Sequence, residues 1–134
     1  MPFYQFTISP DSTSAQRKAE IARAVTKTHC DVTGAPADYV SVSFVEVPTD
    51  NLFLAGEAVG GTRMVGLIRR RTEELKRELL VKLAQAWSEA TGEPITAVVM
   101  FLVDIPGYQA FENGVLLPEA DQDALAVARP EAQA

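Results

Sequence analysis

Residues 63–103 read RMVGLIRRRTEELKRELLVKLAQAWSEATGEPITAVVMFLV, and three patterns succeed one another within them. Residues 63–69 form a short, mostly apolar run, the pattern of a strand. Thr72 followed by Glu73 and Glu74 is a helix N-cap with acidic residues at the positive end of the helix dipole. Leu75, Leu79, Leu83 and Trp87 then recur every fourth residue and share one face, until Gly92, with Pro94 just beyond, ends the helix. Residues 96–103 are almost continuously apolar, which predicts a strand buried on both faces. A helix of this length between two strands is a crossover, and a crossover joins parallel strands in a right-handed β-α-β unit.

The same order stands upstream. Residues 3–8 (FYQFTI) alternate and are rich in aromatic and branched side chains, and Ser9-Pro10-Asp11-Ser12 breaks that strand. Thr13 and Gln16 read as a capping box, Ile21, Val25, His29 and Val32 share one helical face, and Gly34 with Pro36 is the stop. Residues 39–47 (YVSVSFVEV) alternate again, with Val40, Val42, Phe44 and Glu46 on one side, and Pro48 closes the strand. A looser stretch, 49–62, holds Gly56, Gly60 and Gly61. The expected class is therefore α/β (α+β): two fused β-α-β units forming a four-stranded sheet with two helices on one face. One domain is expected over 1–134, with a first unit at about 2–48, a second at about 62–104 and a C-terminal extension over 105–134. Apolar residues occupy both sides of the strands while one sheet face has no helix to cover it, so a homo-oligomer is expected. The Ala-rich, polar segment 118–134 reads as a frayed terminal helix and tail.

Composition narrows the chemistry. The chain has 134 residues, is 47% hydrophobic and 22% charged, and carries 12 basic against 18 acidic residues, a net charge of −6. That is too apolar for disorder, and the acidic balance argues against nucleic-acid binding. A single cysteine, Cys30, makes no intrachain disulfide, and a single histidine, His29, excludes any site that needs two imidazoles. No metal and no cofactor are expected. The longest clean apolar run, 97–103, is far short of the ~20 residues that span a bilayer, so no membrane association is expected. Met1-Pro2-Phe3-Tyr4-Gln5 shows no basic region followed by an apolar one, so the expected location is the cytoplasm.

Four places could carry chemistry. Pro2 lies behind Met1, at a small residue where initiator methionine is normally trimmed; trimming would leave a secondary amine held by a core strand. An α-amino group titrates at about 7.7–8.0 when unperturbed, close enough to neutrality to serve as a general base. His29, the sole imidazole, lies near the C-terminal end of the first helix, where the dipole favours its charged form. Arg69-Arg70-Arg71 is the densest positive charge, at a strand end and a helix start where anionic ligands tend to bind. Strand alternation would send Arg69 and Arg71 to one face and Arg70 to the other. Glu112, close to Tyr108 and Phe111, is a carboxylate in an aromatic setting.

Together these residues resemble the tautomerase superfamily, and within it the cis-3-chloroacrylic acid dehalogenase-like group, relatives of 4-oxalocrotonate tautomerase. The resemblance runs from Pro2 to about Pro118. It rests on Pro2, His29 with Thr33-Gly34, Asn51-Leu52-Phe53-Leu54-Ala55-Gly56, Gly60-Gly61, Gly66-Leu67-Ile68-Arg69, and Phe111-Glu112-Asn113-Gly114 with Pro118. It implies a trimer of fused β-α-β units, a small carboxylate substrate, Pro2 as the catalytic amine after loss of Met1, and Arg69 gripping the carboxylate. His29 would help bind or polarise the substrate, and Glu112 would stand where the family has its water-activating carboxylate. The dehalogenases carry a second arginine three residues after the first; that position is Thr72, with Arg70 or Arg71 in reach. They also carry a water-positioning tyrosine at the place of Phe101, counted back from Pro106. Phenylalanine has no hydroxyl, which weighs against hydrolytic dehalogenation and for tautomerisation of small enol or 2-oxo acids. The alternatives are a hydratase or dehalogenase of 3-substituted acrylates, and a trimeric binding protein that keeps Met1 and has no activity.

Overall fold

In the computed structural model, which describes residues 1–120, the alternation of FYQFTI becomes strand β1 (Phe3–Ile8). Its Tyr4, Phe6 and Ile8 are wholly buried, while Phe3, Gln5 and Thr7 on the other face are only partly covered. The helix that follows is not continuous. A four-residue turn, α1 (Thr13–Gln16), gives way at Arg17 (φ −125°, ψ 31°) to α2 (Lys18–Thr33). The cap is Ser12 rather than the expected Thr13: its Oγ accepts from the Ala15 N–H at 3.2 Å. The turn is anchored by Ser14, a buried polar residue whose hydroxyl bonds Thr62 Oγ1 at 3.0 Å and accepts from Trp87 Nε1 at 3.1 Å. Helix α2 buries Ile21, Val25 and His29 and stops at Gly34, whose φ of +76° is the left-handed conformation that glycine adopts without penalty.

Strand β2 (Ser41–Glu46) begins later than the alternation over 39–47 suggests, because residues 37–39 form a 3₁₀ turn after Pro36. The glycine-containing stretch folds into a small hairpin, β3 (Phe53–Leu54) and β4 (Glu57–Ala58), turned at Ala55 and Gly56, both at positive φ. Strand β5 (Thr62–Arg69) leads through the Thr72 cap into α3 (Glu73–Thr91), which buries Leu79, Leu83 and Trp87 and ends at Gly92. Strand β6 (Val98–Ile105) follows a turn over Ile95–Ala97. A second hairpin, β7 (Phe111–Glu112) and β8 (Val115–Leu116), lies in the C-terminal extension. The expected tail over 118–134 falls, from residue 121 onward, outside the described residues.

The four long strands form one sheet in the order β2-β1-β5-β6. Each outer pair, β1 with β2 and β5 with β6, is parallel, as a helical crossover requires, and the units meet through antiparallel β1 and β5. The fold is α+β, with α2 and α3 packed against each other over one sheet face. The core between them comprises Tyr4, Phe6, Ile8, Ile21, Val25, Met64, Ile68, Leu79, Leu83 and Trp87. Each such large side chain withdrawn from water contributes about 1.5–3 kcal/mol.

Strand β6 corrects one expectation. It is an edge strand whose Val98, Met100 and Leu102 are partly buried against the core, whereas Val99, Phe101 and Val103 on its other face are exposed, Phe101 by 55%. Continuous apolarity therefore marks two different apolar surroundings, the helices on one side and the uncovered sheet face on the other. Among the described residues no helix is long and apolar enough to cross a membrane.

Ser14→Ala should lower the unfolding free energy by about 1–3 kcal/mol, since Trp87 Nε1 and Thr62 Oγ1 would keep their burial and lose a shared partner. Trp87 is the sole tryptophan, so its fluorescence during urea denaturation measures the change; an unshifted midpoint would show that the network carries no net stability.

Candidate active site

Pro2 enters β1 buried, with its carbonyl oxygen accepting from the Ser41 N–H at 3.0 Å, so the ladder of β1 with β2 pins the beginning of the chain. The amino group of Met1 lies 2.5 and 2.6 Å from the two carboxylate oxygens of Glu112. Glu112 reaches this point from hairpin β7–β8, whose turn is Asn113-Gly114, both at positive φ. Asn-Gly is the residue pair such a two-residue turn favours, and it was the available sequence signal for this hairpin. The hairpin is closed at its base by the Leu117 N–H on the Ala110 carbonyl and the Tyr108 N–H on the Leu117 carbonyl.

On the helix side, Tyr4 and His29 form a buried pair. Tyr4 Oη and His29 Nδ1 are 2.6 Å apart, and the rings meet edge to face with centroids 5.6 Å apart. Tyr4 has room because its partner in the β5 ladder is Gly66: a Cβ there would fall 2.6 Å from Tyr4 Cε1 and 2.8 Å from Leu102 Cδ2. Burial, above all, pushes the Tyr4 phenol above its ordinary range, with the neighbouring Cys30 adding to the shift and Arg71 opposing it. Burial, then the positive charges of Arg71 and the amino terminus, push His29 down to about 4. This reverses the expectation from the helix dipole. The partial negative charge at the helix C-terminus is outweighed by the loss of solvent around a residue that is 2% exposed, so His29 is neutral at pH 7.

The three arginines separate. Strand geometry ends at Arg69, so alternation does not extend to Arg70 and Arg71. Arg69 is 7% exposed and its Nη2 donates to the Pro118 carbonyl. Arg70 is exposed and stands 3.9 Å from Glu119, whose carboxylate also accepts from the Gly107 N–H at 2.8 Å. Gly107 lies directly beneath this strap, with a Cβ position 2.6 Å from the Glu119 nitrogen. Arg71 is the arginine whose charge reaches both Tyr4 and His29. Its backbone is tied to Asp104, and Asp104 is held below the usual carboxylate range chiefly by its hydrogen bond with Lys76, at 3.0 Å.

The structure thus brings Pro2, His29, Glu112 and the charge of Arg71 to one end of the sheet. It does not bring Phe101 there within one chain. In the β5–β6 register Phe101 pairs with Val65 and Ile105 with Arg69, so Phe101 stands four residues back, about 13 Å along the strand. Tyr4, Gly66 and Asp104 were not singled out as site residues from the sequence. The one available sign for Tyr4 was a hydroxyl placed on the apolar face of the first strand.

A family model described as "Putative oxalocrotonate tautomerase enzyme" matches residues 1–129. The chain belongs to the tautomerase superfamily. Its fold matches that of native Ps01740 with 31% identity and a TM-score of 0.76, over 82% of this chain and 99% of that one. It matches N1, a member of the cis-3-chloroacrylic acid dehalogenase (cis-CaaD) family, with 28% identity and a TM-score of 0.88, over 98% and 95% of the two chains. A symmetric trimer of wild-type Q0 fused 4-OT matches with 27% identity and a TM-score of 0.76, over 95% and 99%. No curated protein matches the chain. Tautomerase-superfamily membership with cis-CaaD-like relatives is the kinship that the sequence motifs resembled.

Depression of the His29 pKa in this tautomerase-superfamily fold links stability to pH. The unfolded chain takes up a proton near 6.5 that the folded chain resists until about 4. The stabilisation is complete above pH 6.5 and is lost as pH falls toward 4, with a slope approaching about 1.4 kcal/mol per pH unit. Urea unfolding of the parent and of His29→Gln between pH 7.5 and 4.5 should show a steep fall in the parent and a flatter one in the variant. Parallel curves would contradict the assignment.

Proposed function

We propose that the protein is a cofactor-independent tautomerase of small enol or 2-oxo carboxylic acids, with Pro2 as its base once Met1 is removed. The observation that carries this reading is the chain start itself: Pro2 is buried at the head of β1, the Met1 amino group before it lies 2.5 Å from the Glu112 carboxylate, and the charges of that amino group and of Arg71 both reach His29. With Met1 gone, the nitrogen of Pro2 is a secondary amine at the buried start of β1. The reaction uses its neutral form, which carries the basic lone pair.

The neutral amine takes the proton from the enol hydroxyl, or from a carbon next to the 2-oxo group, and returns it elsewhere on the same substrate, so the net reaction is an isomerisation. Arg71, with Arg69 at the end of β5 and Arg70 between them, balances the substrate carboxylate and the charge that develops on the dienolate. His29, neutral, polarises the substrate oxygen, and Glu112, which pairs with the amino group while Met1 is present, is the carboxylate at the same end of the sheet.

Two measurements test this reading. The intact mass of the purified protein should correspond to loss of Met1, since an acylated Pro2 nitrogen is an amide without a basic lone pair. Pro2→Ala should then lower kcat/KM on a phenylenolpyruvate-type enol acid by roughly a hundredfold, the usual scale for loss of an acid–base group. A retained methionine, or a variant as fast as the parent, refutes the mechanism.

The same reading includes a homotrimer. Its support is the uncovered sheet face, where Val45, Val65, Val99, Phe101 and Val103 are exposed together, and the trimeric assembly of the fused 4-OT relative. Sedimentation equilibrium should give three 14.5 kDa chains, and Val103→Asp should shift the mass toward one. A monomeric parent would remove this part of the proposal.

A further inference from the structure

We propose that Tyr4 is a positioning residue for the reaction above: by donating its hydroxyl proton to His29 Nδ1, it holds the imidazole as the tautomer with its proton on Nε2, so that the ring meets the substrate as a hydrogen-bond donor. The inference rests on the tautomerase reading for its consequence in turnover, and on the Tyr4–His29 geometry alone for its direction.

The direction follows from hydrogen-bond accounting. The Tyr4 hydroxyl is wholly buried, and His29 Nδ1 at 2.6 Å is its hydrogen-bond partner. Were Nδ1–H the donor, the phenolic proton would be left in the interior without an acceptor, a cost of about 1–3 kcal/mol. With Tyr4 as donor, both groups are satisfied and the second imidazole nitrogen carries the ring's one proton. The raised phenol and lowered imidazole pKa values agree with this, since the phenol keeps its proton and the imidazole takes up no second one.

The pair is also built to stay put. Tyr4 is fixed by its place in a strand paired on both edges and by the missing side chain at Gly66, where any Cβ would strike the ring. His29 is fixed by its helical turn, where its carbonyl accepts from Thr33 Oγ1 at 2.7 Å, and by the edge-to-face contact with Tyr4. A neutral N–H donor pre-aligned in a dry setting stabilises a developing enolate oxygen without the cost of reorienting a ring.

The chain has one histidine, so a two-dimensional ¹H–¹⁵N spectrum of the imidazole contains one ring and its tautomer is read directly. The parent at pH 7 should show protonated Nε2 and an acceptor-type Nδ1; protonated Nδ1 overturns the proposal, and this measurement needs no variant. Tyr4→Phe should move the spectrum to a tautomer mixture and lower kcat about tenfold with KM changed less than about twofold. In a His29→Gln background, Tyr4→Phe should have no further effect on kcat, whereas a merely structural role would lower both backgrounds equally. An unchanged spectrum in Tyr4→Phe, or additive losses, would refute the assignment. A parent inactive on enol acids would instead refute the tautomerase reading, because the ¹⁵N pattern is decided without turnover.

Discussion

Strand β1 is paired on both edges, and the candidate site depends on that constraint. Parallel pairing with β2 and antiparallel pairing with β5 leave each of its residues a single choice of face. Tyr4 is thereby directed under α2 toward His29, and Pro2 is tied through its carbonyl to Ser41. The first residues of a chain ordinarily fray; here, moving them would break a ladder in the middle of the sheet. Antiparallel pairing with β5 also decides what the chain start meets. It sets Phe3 opposite Leu67, so the beginning of β1 lies beside the end of β5 and the arginines that follow it.

Charge is distributed with the same economy. The chain is acidic overall, yet its positive loop follows β5 and its three arginines have separate surroundings. Arg69 is bound to the Pro118 carbonyl and Arg70 stands near Glu119, so both are engaged by the segment at Pro118–Glu119 within the C-terminal extension. Arg71 lies within electrostatic reach of His29 and Tyr4. The extension supplies the opposing charge too, since Glu112 arrives on hairpin β7–β8. Among Arg71, Glu112 and His29, only the imidazole is deeply buried; the carboxylate keeps part of its contact with solvent.

Much of the architecture was legible in local patterns. The repeated strand-helix-strand order, the Thr72 cap, the stops at Gly34 and Gly92 and the bare sheet face each follow from spacing within about twenty residues. Patterns of that length respond to backbone geometry and to one neighbouring layer. They misjudged α1, where a serine rather than an apolar residue turns inward because Trp87 and Thr62 provide its hydrogen bonds from distant elements. They misjudged β6, whose outer face is apolar without being covered within the chain.

Pro2, His29, Glu112 and the arginine cluster could be nominated from residue type, local setting and family-like motifs: Pro2 by its place behind Met1, His29 as the sole imidazole, the arginines as the densest positive charge, and Glu112 out of 18 acidic residues by its aromatic setting. What the sequence determined was this inventory and the duplicated unit that bears it. The tertiary structure decided how its members are related: the charge of Arg71 reaches His29, Tyr4 is the partner of its ring, and Phe101 stands back along β6 from the end that Arg69 occupies. The reason is physical. A residue's chemistry and its preferred backbone are local properties, whereas its charge state and hydrogen-bond partner are set by what burial removes and what the sheet register brings opposite.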